Sequence, residues 1–251
     1  MKKIFLIFLG VVSREQSIQC FELTALKLAY PNHIQDVTPN ALVWKDGEIM
    51  PLNREKSLYV QMPFCRYAPG KHFINPSQDN NLCATYPSLF YKMYGKTPEE
   101  VQQNLVTVDW MPRIFGKNTH TLKVTRINDI DKKVINISNE LEELVAIKPA
   151  FKKFLENPGG GFMWRLVANS DRRSNHSFGI AIDINTRYSN YWLWDLKKYN
   201  ISEPYSIIPP YRNTIPQEIV RIFEKHGFIW GGSWLRYDTM HFEYRPEMLL
   251  S

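Results

Sequence analysis

Three side chains of metal-ligating type, His176, Asp183 and His241, fall in two short segments of the C-terminal third, SNHSFGIAIDIN and YDTMHFEY. Zinc accepts imidazole, thiolate or carboxylate ligands, and a catalytic site takes three from the protein and leaves a fourth position for water. His176 and Asp183 are seven apart across the Ser177-Phe178-Gly179 turn. That spacing sets a loop histidine beside the polar face of the strand that follows. His241 belongs to the last strand, and Asp238 stands three residues before it. Positions 238 and 241 would point to opposite faces of one ideal strand, so Asp238 is expected on the loop just ahead. There it is placed to take a proton from a metal-activated water and return it, since a metal lowers the pKa of bound water to about 7 and a carboxylate can accept the proton. Spacing alone does not single this set out. Three such residues spread over 65 positions also arise by chance, and a polar residue on a strand is ordinarily just solvated.

The elements that must hold these residues are legible in part. SFGIAIDIN places Ile180, Ile182 and Ile184 on one strand face and Ala181, Asp183 and Asn185 on the other, so Asp183 faces away from an isoleucine core. Thr214, Pro216 and Glu218 with Ile219, Val220, Ile222 and Phe223 describe a helix ending at His226 and Gly227. FIWGGSW turns the chain and YDTMHFEY returns it. Upstream, THTLKVTRI (119–127) alternates as a strand does, and Ile130, Val134, Ile137, Leu141 and Leu144 recur at helical spacing up to Lys148 and Pro149. A Gly159-Gly160-Gly161 turn leads into FMWRLVA, a strand candidate. Thr97, Pro98 and Glu100 form a helix-start signature with a reciprocal cap. Strands and helices mix without strict βαβ alternation, which predicts an α+β fold with a small antiparallel sheet and flanking helices.

The chain of 251 residues is 44% hydrophobic and 22% charged, enough to bury a core. Lys and Arg total 31 against 25 Asp and Glu, a net charge of +6 spread along the sequence. That balance suits an acidic polymer without identifying one. No helix concentrates Lys and Arg on one face, and no zinc-finger or RNA-binding pattern appears, which argues against a nucleic-acid partner. The longest apolar run, Ile4 to Val12, falls short of the roughly 20 residues of a membrane span. Behind two lysines it reads as a secretory signal over residues 1–20, although no A-x-A cleavage pattern follows. The plain alternative is a buried first element of a cytoplasmic protein. Cys65 and Cys83 either pair, contributing about 3 kcal/mol, or are buried thiols. Cys20 is the odd one out, with lipidation a further reading.

SNHSFGIAID closely resembles the S-x-H-x-x-G-x-A-x-D motif of the peptidase M15 family, zinc D-alanyl-D-alanine carboxypeptidases and L-alanyl-D-glutamate endopeptidases that cut peptidoglycan stem peptides. DTMHFE looks like its second motif, and the WGGSW segment resembles the phage-endolysin-like branch. The resemblance covers roughly residues 112–251, leaving 21–111 as an N-terminal region without a readable motif. It implies a small α+β zinc domain of the hedgehog and D-Ala-D-Ala peptidase type, one Zn2+ held by His176, Asp183 and His241, and Asp238 as the catalytic carboxylate. It also implies Ser174 near the substrate and an arginine upstream of the first histidine. Arg165 in FMWR is the choice for that arginine over Arg172 and Arg173; the family's usual Y-R-S-x-x-x-Q form is absent here. Location in the periplasm or cell envelope follows from the same reading, with no transmembrane span once the signal is removed. The competing reading is a zinc-stabilised module that binds peptidoglycan without turnover.

For the remaining candidates the plainer readings stand beside the functional ones. Trp192, Trp194, Trp230 and Trp234 serve core packing or line a groove, Trp234 being the candidate substrate contact. Glu243, on the His241 face, is either a partner of the ligand histidine or half of a salt bridge. His226 caps a helix, and His33, His72 and His120 have no partner spacing. Carboxypeptidase and endopeptidase activity are both open, with the Asp form of the second motif leaning to the latter.

Overall fold

The computed structural model describes residues 24–38, 40–51, 67–70, 87–168, 170–197 and 207–250. The expected signal segment, all three cysteines and His72 lie outside them. The chain is helical across 24–29 (α1) and then forms an antiparallel meander of β1 (Ile34–Thr38), β2 (Ala41–Trp44) and β3 (Ile49–Pro51). Helices α2 (Pro87–Tyr94) and α3 (Pro98–Gln102) follow. Thr97 caps α3 by accepting from the Glu100 amide, but the Glu100 carboxylate accepts from the amide of Lys96 at 2.6 Å, so the return bond is displaced by one residue. Strands β4 (Leu105–Asp109) and β5 (Thr121–Thr125) pair antiparallel around α4 (Pro112–Phe115).

Helix α5 (Ile130–Ile147) buries Ile130, Val134, Ile137 and Leu141, the face its three-and-four spacing defines. It packs on β4, β5 and the later helix α8 (Gln217–Lys225). Between them run α6 (Lys152–Leu155) and α7 (Trp192–Lys197), and α9 (Pro246–Leu250) closes the described chain. The central sheet has four antiparallel strands in the order β6 (Pro158–Gly160), β7 (Ala181–Asn185), β9 (His241–Tyr244), β8 (Phe228–Trp230). The fold is thus α+β with small antiparallel sheets. Among the described residues no helix is long and apolar enough to cross a membrane.

One local expectation is corrected. FMWRLVA is not a strand; within it only Leu166 bridges, to Arg173. The edge strand is the glycine-rich stretch read as a turn, where Pro158 pairs with Asn185 and Gly160 with Asp183. Close approach explains the exchange. A Cβ on Gly159 would lie 3.0 Å from the Asp183 Cβ, so a residue without one lets this backbone reach β7.

The early segments pack directly on those that carry the site. Phe178 meets the rings of Phe90, Tyr91 and Tyr94 at centroid distances of 5.7 to 6.1 Å, contacts worth about 0.5–1.5 kcal/mol each beyond area burial. Tyr67 donates its amide to the Met248 carbonyl at 3.3 Å. Fully buried Tyr30 donates its hydroxyl to Glu247 at 2.7 Å.

Candidate metal centre

Asp183 on β7 stands directly opposite His241 on β9, and directly paired residues project to the same face. Ile182, Ile184 and Phe242 take the opposite face and are fully buried, so alternation alone turns both polar residues toward one side. His176 arrives from a single 3-10 turn, Asn175–Phe178, that ends on Gly179 at φ +69°. Glycine enters that left-handed region without steric cost. A side chain there would also put its Cβ 2.6 Å from Leu105 and 2.9 Å from the Thr125 amide.

The three donors converge. His176 Nε2 lies 3.2 Å from His241 Nδ1 and 3.2 Å from Asp183 Oδ1, and His241 Nδ1 lies 3.0 Å from Asp183 Oδ1. Tetrahedral zinc with bonds of about 2.1 Å needs donor atoms roughly 3.4 Å apart. The observed triangle is within a few tenths of an ångström of that, and its two imidazoles and one carboxylate are a chemically fitting set. These three form the metal-capable group found among the described residues.

Both ring orientations are fixed from behind. His176 Nδ1 lies 2.6 Å from the Gly161 carbonyl, which can only accept. Nδ1 therefore carries the proton and Nε2 offers its lone pair inward. His241 is turned the other way. Its Nε2 donates to Glu243 at 3.0 Å and its Nδ1 faces the centre. Such outer partners fix the tautomer and raise ligand basicity. Glu243 fills both anticipated parts at once, because it also accepts from Asn175 at 2.7 Å and Arg245 at 3.3 Å. Arg245 continues to Glu247 and thence to Tyr30, a line of buried polar groups.

Burial alone would lower the His241 pKa, but the Asp183 and Glu243 carboxylates outweigh it and push it up to about 10. Burial works against ionised Asp183 and Glu243 too. His176 and His241 nevertheless hold Asp183 far below the usual carboxylate range, and His241, Arg245 and Asn175 hold Glu243 down to about 2. The cluster is thus a set of charges that a cation can replace protons in.

Asp238 sits on the loop before β9, as its spacing requires, and lines the same cleft as Asp183 and His241. Its Oδ1 is buried with no hydrogen-bond partner. Burial first and the Asp183 charge second raise its pKa to about 7, against the opposing pull of His241, Arg165 and the Met240 amide. The loop is held from both sides. Gly231 packs beneath, where a Cβ would come 2.6 Å from the Asp238 carbonyl. The segment entering α7 clasps it above, with Thr239 donating to the Asn190 carbonyl at 2.9 Å and Trp192, the first residue of α7, to that of Tyr237 at 3.0 Å. The Tyr237 hydroxyl is anchored on buried Asp195 at 2.9 Å.

Arg165, Ser174 and Trp234 all line the cleft. Arg165 is exposed, Ser174 is buried, and Trp234 is tilted against His241 with ring centroids 5.4 Å apart. Trp192 and Trp230 are buried, as core packing predicts, whereas Trp194 is 47% exposed on the cleft wall. His226 ends α8 and pairs with Glu140 at 2.7 Å. Arg172 and Arg236 also face the cleft. The Gly161 carbonyl and Tyr30 are the contributors without a signal of their own.

Residues 168–244 match the family model described as D-alanyl-D-alanine carboxypeptidase, of peptidase family M15. The matched span contains His176, Asp183, Asp238 and His241 and begins after Arg165. It supports a peptidase. No curated protein and no solved structure matches the chain.

Proposed function

We propose that this protein is a zinc-dependent peptidase of the bacterial cell envelope that hydrolyses peptidoglycan stem peptides. His176, Asp183 and His241 are its metal ligands and Asp238 its general base. The observation that carries the reading is the buried carboxylate of Asp238, one oxygen of which, Oδ1, has no hydrogen-bond partner, in the cleft onto which the three donors converge. A structural carboxylate is normally satisfied. One with an oxygen left open beside a metal-capable triad is suited to proton transfer.

When bound, zinc supplies a Lewis acid that lowers the pKa of a coordinated water to about 7 and polarises a carbonyl. The side chains provide the rest. Asp238, with its pKa raised to about 7 by burial and the Asp183 charge, accepts the proton of the attacking water at Oδ1 and returns it to the leaving amine. Glu243 and the Gly161 carbonyl keep the two imidazoles in the ligating tautomer. Arg165 holds a substrate carboxylate or the charge developing on the scissile carbonyl, for which a guanidinium fork is suited. Ser174 and Trp234 line the floor on which the peptide lies.

Purified peptidoglycan incubated with the zinc-loaded protein should yield new muropeptides by mass spectrometry, and a chelator should abolish them. Loss of a terminal alanine identifies a carboxypeptidase; free stem peptides identify an endopeptidase. Asp238→Asn should retain zinc and lose about 10²–10⁴ in kcat. A wild-type rate in that variant removes Asp238 from the mechanism.

A further inference from the structure

We infer that Tyr30, at the end of α1, is a positioning residue of the metal centre, acting through Glu247, Arg245 and Glu243 on the two imidazole ligands. This rests on the metal-site part of the reading above and gives the N-terminal segments a part in that site. The two oxygens of Glu243 divide the work. Oε2 accepts from His241 at 3.0 Å and from the Asn175 side chain at 2.7 Å, and Asn175 is the residue before His176. One oxygen therefore ties together both histidine-bearing segments. The other, Oε1, accepts from Arg245 at 3.3 Å.

Arg245 can steady that oxygen only where its own guanidinium is fixed. Its Nε donates to Glu247 Oε1, while Glu247 Oε2 accepts from the Tyr30 hydroxyl at 2.7 Å. The guanidinium carbon lies 5.4 Å from the centre of the Phe90 ring. A guanidinium is planar with its donors in fixed directions, so a tilt at Nε also moves the Nη1 that reaches Glu243. None of Tyr30, Phe90, Glu243, Arg245 and Glu247 is more than 7% exposed. Bulk water is not at hand to replace a lost donor, and a buried carboxylate left short of one is costly. With the Tyr30 hydroxyl gone, Glu247 draws Arg245 toward itself and away from Glu243, the longest bond of the line. Phe90 adds a second connection, its ring meeting Phe178 in the turn that carries His176 at 5.8 Å. Tyr30, Phe90, Arg245 and Glu247 all lie outside residues 168–244, so the support behind the ligands comes from parts of the chain beyond the matched span.

The test is the zinc affinity of the full-length protein, read by competition with a chromophoric chelator at a temperature where melting curves show every variant folded. Tyr30→Phe removes the hydroxyl and keeps the ring. It should weaken zinc binding about fivefold or more, somewhat less than the loss of a direct outer partner, and shift the visible bands of the cobalt(II)-loaded protein, which report metal geometry. In a Glu243→Gln background the same change should alter affinity less than about twofold, because the line is already cut. Ser138→Ala removes a buried hydroxyl from α5 that accepts from the Met111 amide at 2.6 Å, and serves as the control for a general loss of stability: it should lower Tm and leave zinc affinity and the cobalt bands unchanged. Glu247→Gln, which leaves Tyr30 an acceptor but takes the charge from Arg245, should repeat the Tyr30→Phe pattern and decides the matter should that variant not fold. A zinc affinity within about twofold of wild type in both Tyr30→Phe and Glu247→Gln, a full loss persisting in the Glu243→Gln background, or an equal loss in Ser138→Ala overturns the inference. The metal-site reading fails separately, if the wild-type protein itself takes up no zinc.

Discussion

Glu243→Gln removes one negative charge from a place where three groups depend on it. The carboxylate accepts from His241 at 3.0 Å, Asn175 at 2.7 Å and Arg245 at 3.3 Å, and it is only 7% exposed. A glutamine keeps the shape but offers one acceptor oxygen, and its amide hydrogens must face Arg245 or the imidazole. Stripping one partner from a buried ion pair costs about 3–5 kcal/mol. Glu247 still answers Arg245, so the lower end, about 3 kcal/mol, is expected. In a chain of this size that lowers Tm by about 6–12 °C. Loss of an outer partner also weakens metal binding by about 10–100-fold. Melting the chelated protein reads the first effect, and competition with a chromophoric chelator reads the second. A variant that melts within about 2 °C of wild type and binds zinc as tightly would refute both the buried network and the orienting role of Glu243.

Two further outcomes follow from the same centre. With His241 pushed up to about 10 from 6.5, its stabilisation of the metal-free protein is complete below about pH 6.5 and is lost as pH rises through 10; with Glu243 held down to about 2 from 4.5, its share is complete above about 4.5 and is lost as pH falls through 2. The chelated protein should therefore melt highest between about pH 4.5 and 6.5. Zinc affinity should climb with pH, about tenfold per unit while the ion displaces the His241 proton; a flat affinity between pH 6.5 and 9 would contradict this. Gly231→Ala places a Cβ 2.6 Å from the Asp238 carbonyl and 3.2 Å from the His241 Cβ. It should cost about 1–3 kcal/mol of stability and lower peptidase activity more than tenfold, read by thermal melting and peptide cleavage; an unaltered protein would show that the loop tolerates displacement.

What could be read in advance follows from the range of the interactions. The period of two in their strands sets the faces of Asp183 and His241, and the period of three and four sets the buried face of helix α5. Asp238 on a loop followed from its incompatibility with the His241 face. FMWRLVA misled because apolar composition says nothing about whether a partner strand exists, and the partner of β7 is a glycine-rich stretch that lacks strand propensity. The meander of β1, β2 and β3 has no sequence signature because its runs of three to five residues carry little periodicity. The carbonyl behind His176 belongs to the backbone and has no residue signature. Tyr30 and Glu247 are 217 positions apart, and nothing local ties them together.

That separation bears on the order in which the molecule comes together. His176 and His241 are themselves 65 residues apart, and closing chains over such distances is slow relative to forming local helices or hairpins. The three donors meet only after β9 has docked on β7, and the polar line behind them is complete only after the α1 segment has settled on α9. A metal ion would therefore find no finished site on a partly folded chain. It would act as a latch on the last step, stabilising the completed protein without nucleating its folding.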